Sequence, residues 1–112
     1  MISPQCYVYL YIDEEVNDLT VNFYKTSKWK AKRLKVLRRD EYRCRDCIRY
    51  GKTTEATTAH HVNPLESRPE LALASWNLIS LCTKCHDKMH DRVTGQLTTA
   101  GLYWKEKIIP PS

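Results

Sequence analysis

The sequence predicts a small α+β domain: a basic amphipathic helix, two short strands and a second helix, braced by a structural zinc site of four cysteines. Three observations carry that prediction. Two CxxC pairs, Cys44/Cys47 and Cys82/Cys85, stand 34 residues apart. Helical periodicity before the first pair gives way to β-branched runs between the pairs. The length of 112 residues fits one domain with a modest core.

The elements follow in order. Residues 1–24 read as an acidic extension in which Tyr7–Ile12 suits a strand, or a tail that pairs elsewhere. Ser27 suits the cap of a helix from Lys28 to Asp40, with Trp29, Val36 and Leu37 on one side and Leu34 flanking it. Cys44 to Cys47, followed by Gly51, reads as a knuckle-like turn. Thr54–Val62 is expected to contain a strand ending at His60-His61, and Asn77–Cys82 a second strand, with Pro64 and Pro69 bracketing the irregular connection. Thr83–Val93 reads as a helix stopped near Gly95. Residues 25–94 thus form the expected domain. Residues 95–112 form a tail whose Trp104 either covers the core or stays loose.

The net charge of +5 is unevenly spread. Residues 1–24 hold four acids and no Lys or Arg, whereas residues 25–52 hold twelve basic residues against three acids. Such a block attracts polyanions, nucleic acid first, although a solvated helix face is the bland alternative that charge alone leaves open. No apolar run approaches membrane-span length, and Tyr7–Ile12 lacks the preceding positive region of a signal peptide. The expected compartment is a reducing cytoplasm, where cysteines more often bind metal or do chemistry than form disulfides.

A two-residue spacer lets both thiolates of a CxxC reach one zinc ion at about 2.3 Å. Cys44, Cys47, Cys82 and Cys85 are therefore the expected ligands of one structural zinc, with Cys6 left over. Redox or simply buried thiols are the alternatives. Cys82 to His86 also has the C-x-x-C-H form of a haem attachment site. That reading needs export and leaves Cys44 and Cys47 unexplained.

All four histidines fall within 31 residues. His60 and His61 are adjacent, and neighbours on a strand point to opposite faces, so the two are not equivalent ligands of one ion. His86 and His90 are four apart, which on a helix stacks them on one face. The same spacing occurs in zinc-protease HExxH helices, but Asp87 stands where glutamate belongs. Read together, the order His60-His61, Asn77, His86, His90, with "HHVNP", "NLISLC", "CTKCH" and "VLRRDEYRCRDC" around it, resembles the HNH (ββα-metal) endonuclease family. The match is to the cysteine-bearing branch common in bacteria and their phages, and it spans Lys28 to Asp91.

The resemblance implies two strands packed on a helix, with a divalent metal between them. It makes His61 the general base, His60 the first metal ligand, and His86 and His90 further ligands. Asn77, the middle letter of the motif, would hydrogen-bond backbone in the histidine loop and keep His61 oriented. Many relatives carry aspartate where this chain has His60. A three-imidazole site favours zinc, nickel or manganese over magnesium by intrinsic affinity, leaving the working ion open. The implied reaction is hydrolysis of DNA phosphodiesters to 5′-phosphate and 3′-hydroxyl ends in a bacterial host cell, where phage packaging, restriction and mobile elements use such domains.

A neutral imidazole with a pKa of about 6.5 can take a proton from water, and it must sit off the metal to do so. Lys28, Lys30, Lys32, Arg33, Lys35, Arg38 and Arg39 are the expected contacts to backbone phosphates, giving salt-dependent binding of duplex DNA with weak sequence preference. The competing expectation is a zinc-stabilised nucleic-acid-binding module without catalysis. It accounts for the cysteines and the basic block but not for the order of histidines and asparagine.

Overall fold

The computed structural model describes residues 22–111; the expected strand at Tyr7–Ile12, Cys6 and most of the acidic extension lie outside them. The element order is α1 (Ser27–Arg39), α2 (Arg45–Arg49), β1 (Thr58–His61), two 3-10 turns (Pro69–Leu71 and Ser75–Asn77), β2 (Leu78–Leu81), α3 (Thr83–Asp87) and α4 (Thr99–Lys107). Among the described residues no helix is long and apolar enough to cross a membrane.

The helix α1 starts one residue earlier than the sequence suggests, because Thr26 rather than Ser27 is the cap. Its hydroxyl accepts the Trp29 N–H at 3.2 Å, satisfying one of the helix's open donors. Trp29, Val36 and Leu37 are buried, as the periodicity requires, while Leu34 stays exposed. The chain leaves α1 through Glu41 and Tyr42, both at φ 57°, and Tyr42 N–H returns to the Leu37 carbonyl at 2.8 Å.

The two strands pair antiparallel, with His60 opposite Ile79 and His61 opposite Leu78. The period of two then sorts the core. Ala59 and Leu78 face α1 and pack with Trp29 and Val36. Val62, Ile79 and Leu81 lie in the opposite cluster with the four cysteines, Met89 and Trp104. Along the outer edge of β2, Ser80 N–H donates to Asp40 and the Leu78 carbonyl accepts from Arg39. Arg39 and Asp40 are themselves paired at 2.8 Å, so side chains at the end of α1 close an edge that would otherwise be open.

The helix expected over Thr83–Val93 ends at Asp87 instead. Beyond it the Lys88 and Met89 carbonyls accept from Thr98, and the Asp91 carboxylate accepts the N–H groups of Val93 and Thr94 in a turn that Gly95 completes at φ +76°. His90 consequently sits in a bridge opposite Leu97 rather than one helical turn beyond His86.

The tail resolves into α4, capped by Thr98, with Trp104 only 2% exposed. Its indole N–H donates to Asp46 at 2.8 Å. Asp46 lies between the first two cysteines and also meets Arg49 at 3.1 Å and Lys88 at 2.8 Å. One buried carboxylate thus ties α4, the first knuckle and the turn before His90 together.

Candidate functional site

The four cysteines converge. Among the described residues they form the group of three or more potential ligands whose donor atoms all lie within 4.8 Å of one another. Cys47 Sγ is 3.9 Å from Cys82 Sγ and 3.7 Å from Cys85 Sγ. Each knuckle enters a short helix at its first cysteine, which turns the second sulfur back toward the first. Burial pushes the Cys44 and Cys85 thiols up, whereas hydrogen bonding to Thr54 lowers Cys47. Four buried soft donors at this separation suit a tetrahedral divalent ion such as zinc.

The adjacent histidines occupy opposite faces of β1. His60, 1% exposed, packs edge-on to His86 at 5.3 Å and to His90 at 5.7 Å between ring centroids. Its Nε2 is buried and has no hydrogen-bond partner among the described residues. A buried ring nitrogen left without a partner is costly, and a bound cation would satisfy it. Among the described residues, the three histidines do not make up a ligand group of the kind the cysteines form. Burial, then the neighbouring imidazoles, holds His60 well below its usual pKa; burial lowers His86 to about 3 and also lowers His90. All three are therefore neutral, the form that ligates metal.

His61 turns to the α1 face and stacks on Trp29, with centroids 5.1 Å and planes 22° apart. Phe23 and Tyr24 close around it at 6.1 and 6.2 Å. Its Nε2 is 3.0 Å from the Ala72 carbonyl. A carbonyl only accepts, so the proton resides on Nε2 and the lone pair on Nδ1. Burial lowers the His61 pKa to about 4, against the opposing pull of the Ala72 carbonyl.

Asn77 is fully buried. Its Oδ1 accepts from Asn63 backbone N–H and from Asn63 Nδ2, both at 2.9 Å. Its Nδ2 donates to the carbonyls of Asn63 at 3.2 Å and Leu71 at 3.3 Å. The amide thus joins the loop that follows the histidine pair to the residue before Ala72. Sequence reasoning missed Asn63, although the asparagine of "HHVNP" was visible. It also missed the Ala72 carbonyl, for which no side-chain signal exists.

The seven basic residues of α1 separate into two kinds. Arg39 spends its donors on the Ser75 and Leu78 carbonyls and on Asp40. Lys32 donates to Ser75 Oγ at 2.8 Å and Arg33 to the Thr57 carbonyl at 2.6 Å. Lys28, Lys30, Lys35 and Arg38 are exposed and make no side-chain hydrogen bond or ion pair with a described residue.

Residues 44–92 match the family model described as HNH endonuclease. Among solved structures, the chain is similar to the HNH endonuclease of the deep-sea thermophilic bacteriophage GVE2, crystallised with manganese ion. The two share 35% identity over 66% of this chain and 80% of that one, with a TM-score of 0.62. Comparison with curated proteins gives no match. With the two-stranded sheet, the histidine arrangement and this likeness in hand, the chain belongs to the HNH endonuclease family.

Proposed function

We propose that this protein is a metal-dependent endonuclease that hydrolyses DNA phosphodiester bonds with His61 as general base. The observation that carries the reading is the division between neighbours. His60 packs against His86 and His90 with its buried Nε2 unpartnered among the described residues, while His61 turns the other way with Nδ1 left to accept a proton. Family membership supports the nuclease role.

In this reading His60, His86 and His90 hold a divalent cation, with Mn²⁺, Ni²⁺, Zn²⁺ and Mg²⁺ as the ions to test. When bound, it neutralises charge on the scissile phosphate and favours departure of the leaving oxygen. His61 Nδ1 takes the proton of the attacking water. The Ala72 carbonyl accepting from Nε2 steadies the imidazolium that results, and the nearby phosphate charge favours that cation further. Asn77 braces the loop that supplies both Asn63 and the approach to Ala72. Lys28, Lys30, Lys35 and Arg38 contact backbone phosphates, and Cys44, Cys47, Cys82 and Cys85 hold a structural zinc. DNA is the partner in this reading, bound with weak sequence preference.

The burial of His61, 6% exposed beneath Phe23 and Tyr24, favours one other reading, a nucleic-acid-binding module that does not cut. Supercoiled plasmid incubated with each of the four metals separates them. The endonuclease converts plasmid to nicked or linear forms, and His61→Ala does not. His60→Ala is expected to weaken metal dependence, with partial rescue by excess metal. If wild type and His61→Ala behave alike under every metal, the endonuclease reading fails.

A further inference from the structure

We infer that Trp29 is a positioning residue for His61: its indole face sets the plane of the imidazole, so that the helix bearing the phosphate-facing lysines also aims the base. This rests on the reading of His61 as general base. A histidine ring is placed by two side-chain torsions, and one hydrogen bond does not determine both. The Nε2–H bond to the Ala72 carbonyl fixes a direction but leaves the ring able to turn about that direction. The near-parallel stack on Trp29 removes the remaining freedom. Phe23 and Tyr24 meet the same ring at 56° and 59°, so neither offers it a flat face.

Trp29 is itself firmly held. It is 5% exposed with the rings of Phe23 and Tyr24 packed on its own at 5.4 and 5.3 Å, and its backbone N–H donates to the Thr26 hydroxyl. Its neighbours in sequence, Lys28 and Lys30, are exposed. One turn of helix therefore carries both the restraint on the base and two positive charges aimed at solvent.

A tryptophan that only filled the core would give variants whose activity is untouched below their unfolding temperature. A positioning residue gives a different pattern in the full-length, zinc-loaded chain cutting duplex DNA with Mn²⁺. Trp29→Phe keeps a flat ring, and its kcat is expected within about threefold of wild type. Trp29→Leu keeps apolar bulk without a flat face and is expected to lose about tenfold or more in kcat with KM little changed. In a His61→Ala background, Trp29→Leu should leave the residual cleavage unaltered. Nitrogen-15 spectra of the His61 ring should show one Nε2–H tautomer in wild type and Trp29→Phe, and exchange averaging in Trp29→Leu. If Trp29→Leu does not fold, Trp29→Met supplies the flexible apolar side chain instead.

Equal kcat for the Phe and Leu variants overturns the inference, as does an equal loss from Trp29→Leu with and without His61. Cleavage that depends on His61 yet ignores Trp29→Leu overturns this inference alone. A wild type that cuts no better than His61→Ala overturns the base assignment and this inference with it.

Discussion

Trp104→Phe is expected to destabilise the domain by about 3 kcal/mol. The wild-type indole is 2% exposed and donates at 2.8 Å to Asp46, which is 0% exposed. Losing a hydrogen bond to a buried charge costs about 1.5–3 kcal/mol. The smaller ring leaves a gap worth about 1 kcal/mol more. Asp46 keeps Arg49 and Lys88, which limits the loss to the lower half of the first range. Against a total stability on the order of 5–15 kcal/mol, that is a large fraction. Urea unfolding of the zinc-saturated chain measures it, with zinc held constant so that metal linkage does not shift the midpoint. Asp46→Asn retains an oxygen that can accept the indole N–H but loses its charge. A cycle of the two substitutions should therefore show a coupling of about 1–2 kcal/mol. A loss from Trp104→Phe below about 0.5 kcal/mol at unchanged m-value would refute the reasoning, because α4 would then lie outside the cooperative unit.

Three further outcomes are expected. Purified protein should carry about one tightly held zinc per chain, and Cys82→Ser should lose it along with cooperative unfolding, since binding energy at such a site is folding energy; a stable, zinc-free Cys82→Ser would contradict this. Lys35→Gln should weaken DNA binding and lower its salt dependence by roughly one phosphate contact without changing stability. Arg39→Gln should instead lower stability, having lost its bonds to Ser75, Leu78 and Asp40, and a titration of binding against salt alongside a thermal melt separates the two. In protein carrying one zinc and no second metal, stability should be complete above about pH 7.5, a unit above the unfolded imidazole pKa of about 6.5, where the unfolded rings are neutral. It should decline as pH falls toward the folded values of about 4 for His61 and about 3 for His86, because the unfolded chain binds protons that the buried rings refuse. A melting temperature flat down to about pH 5 would show those rings to be better solvated than their burial implies.

Much of the site was legible from spacing. The CxxC pairs pointed to one shared ion because a two-residue spacer lets both sulfurs of each pair reach it. The opposite aims of His60 and His61 followed from strand geometry before any coordinates. The grouping of Asn77, His86 and His90 with them came from the family resemblance. Local periodicity also placed α1, β1 and β2 to within a few residues. It failed at Ser27, where the competing hydroxyl of Thr26 caps the helix, and after Asp87, where Thr98, ten residues on, takes the Lys88 carbonyl that a continuing helix would have used.

What the sequence determined by itself is the set of donors and one constraint on their directions: which side chains can bind a metal, and that the two neighbouring histidines must aim apart. Those are properties of residue type and backbone period, and both are local. Only the tertiary structure decided which partners complete them. The Ala72 carbonyl that assigns His61 its tautomer and the Trp29 face that flattens it come from segments far along the chain. So does the Asp46 carboxylate that draws Trp104 and Lys88 together, and no residue-type pattern announces such contacts. Arg39 makes the same point in reverse, reading as one more charge on a basic helix until the fold brings β2's open edge beside it. Long-range partners are chosen by packing, and packing is a property of the whole chain.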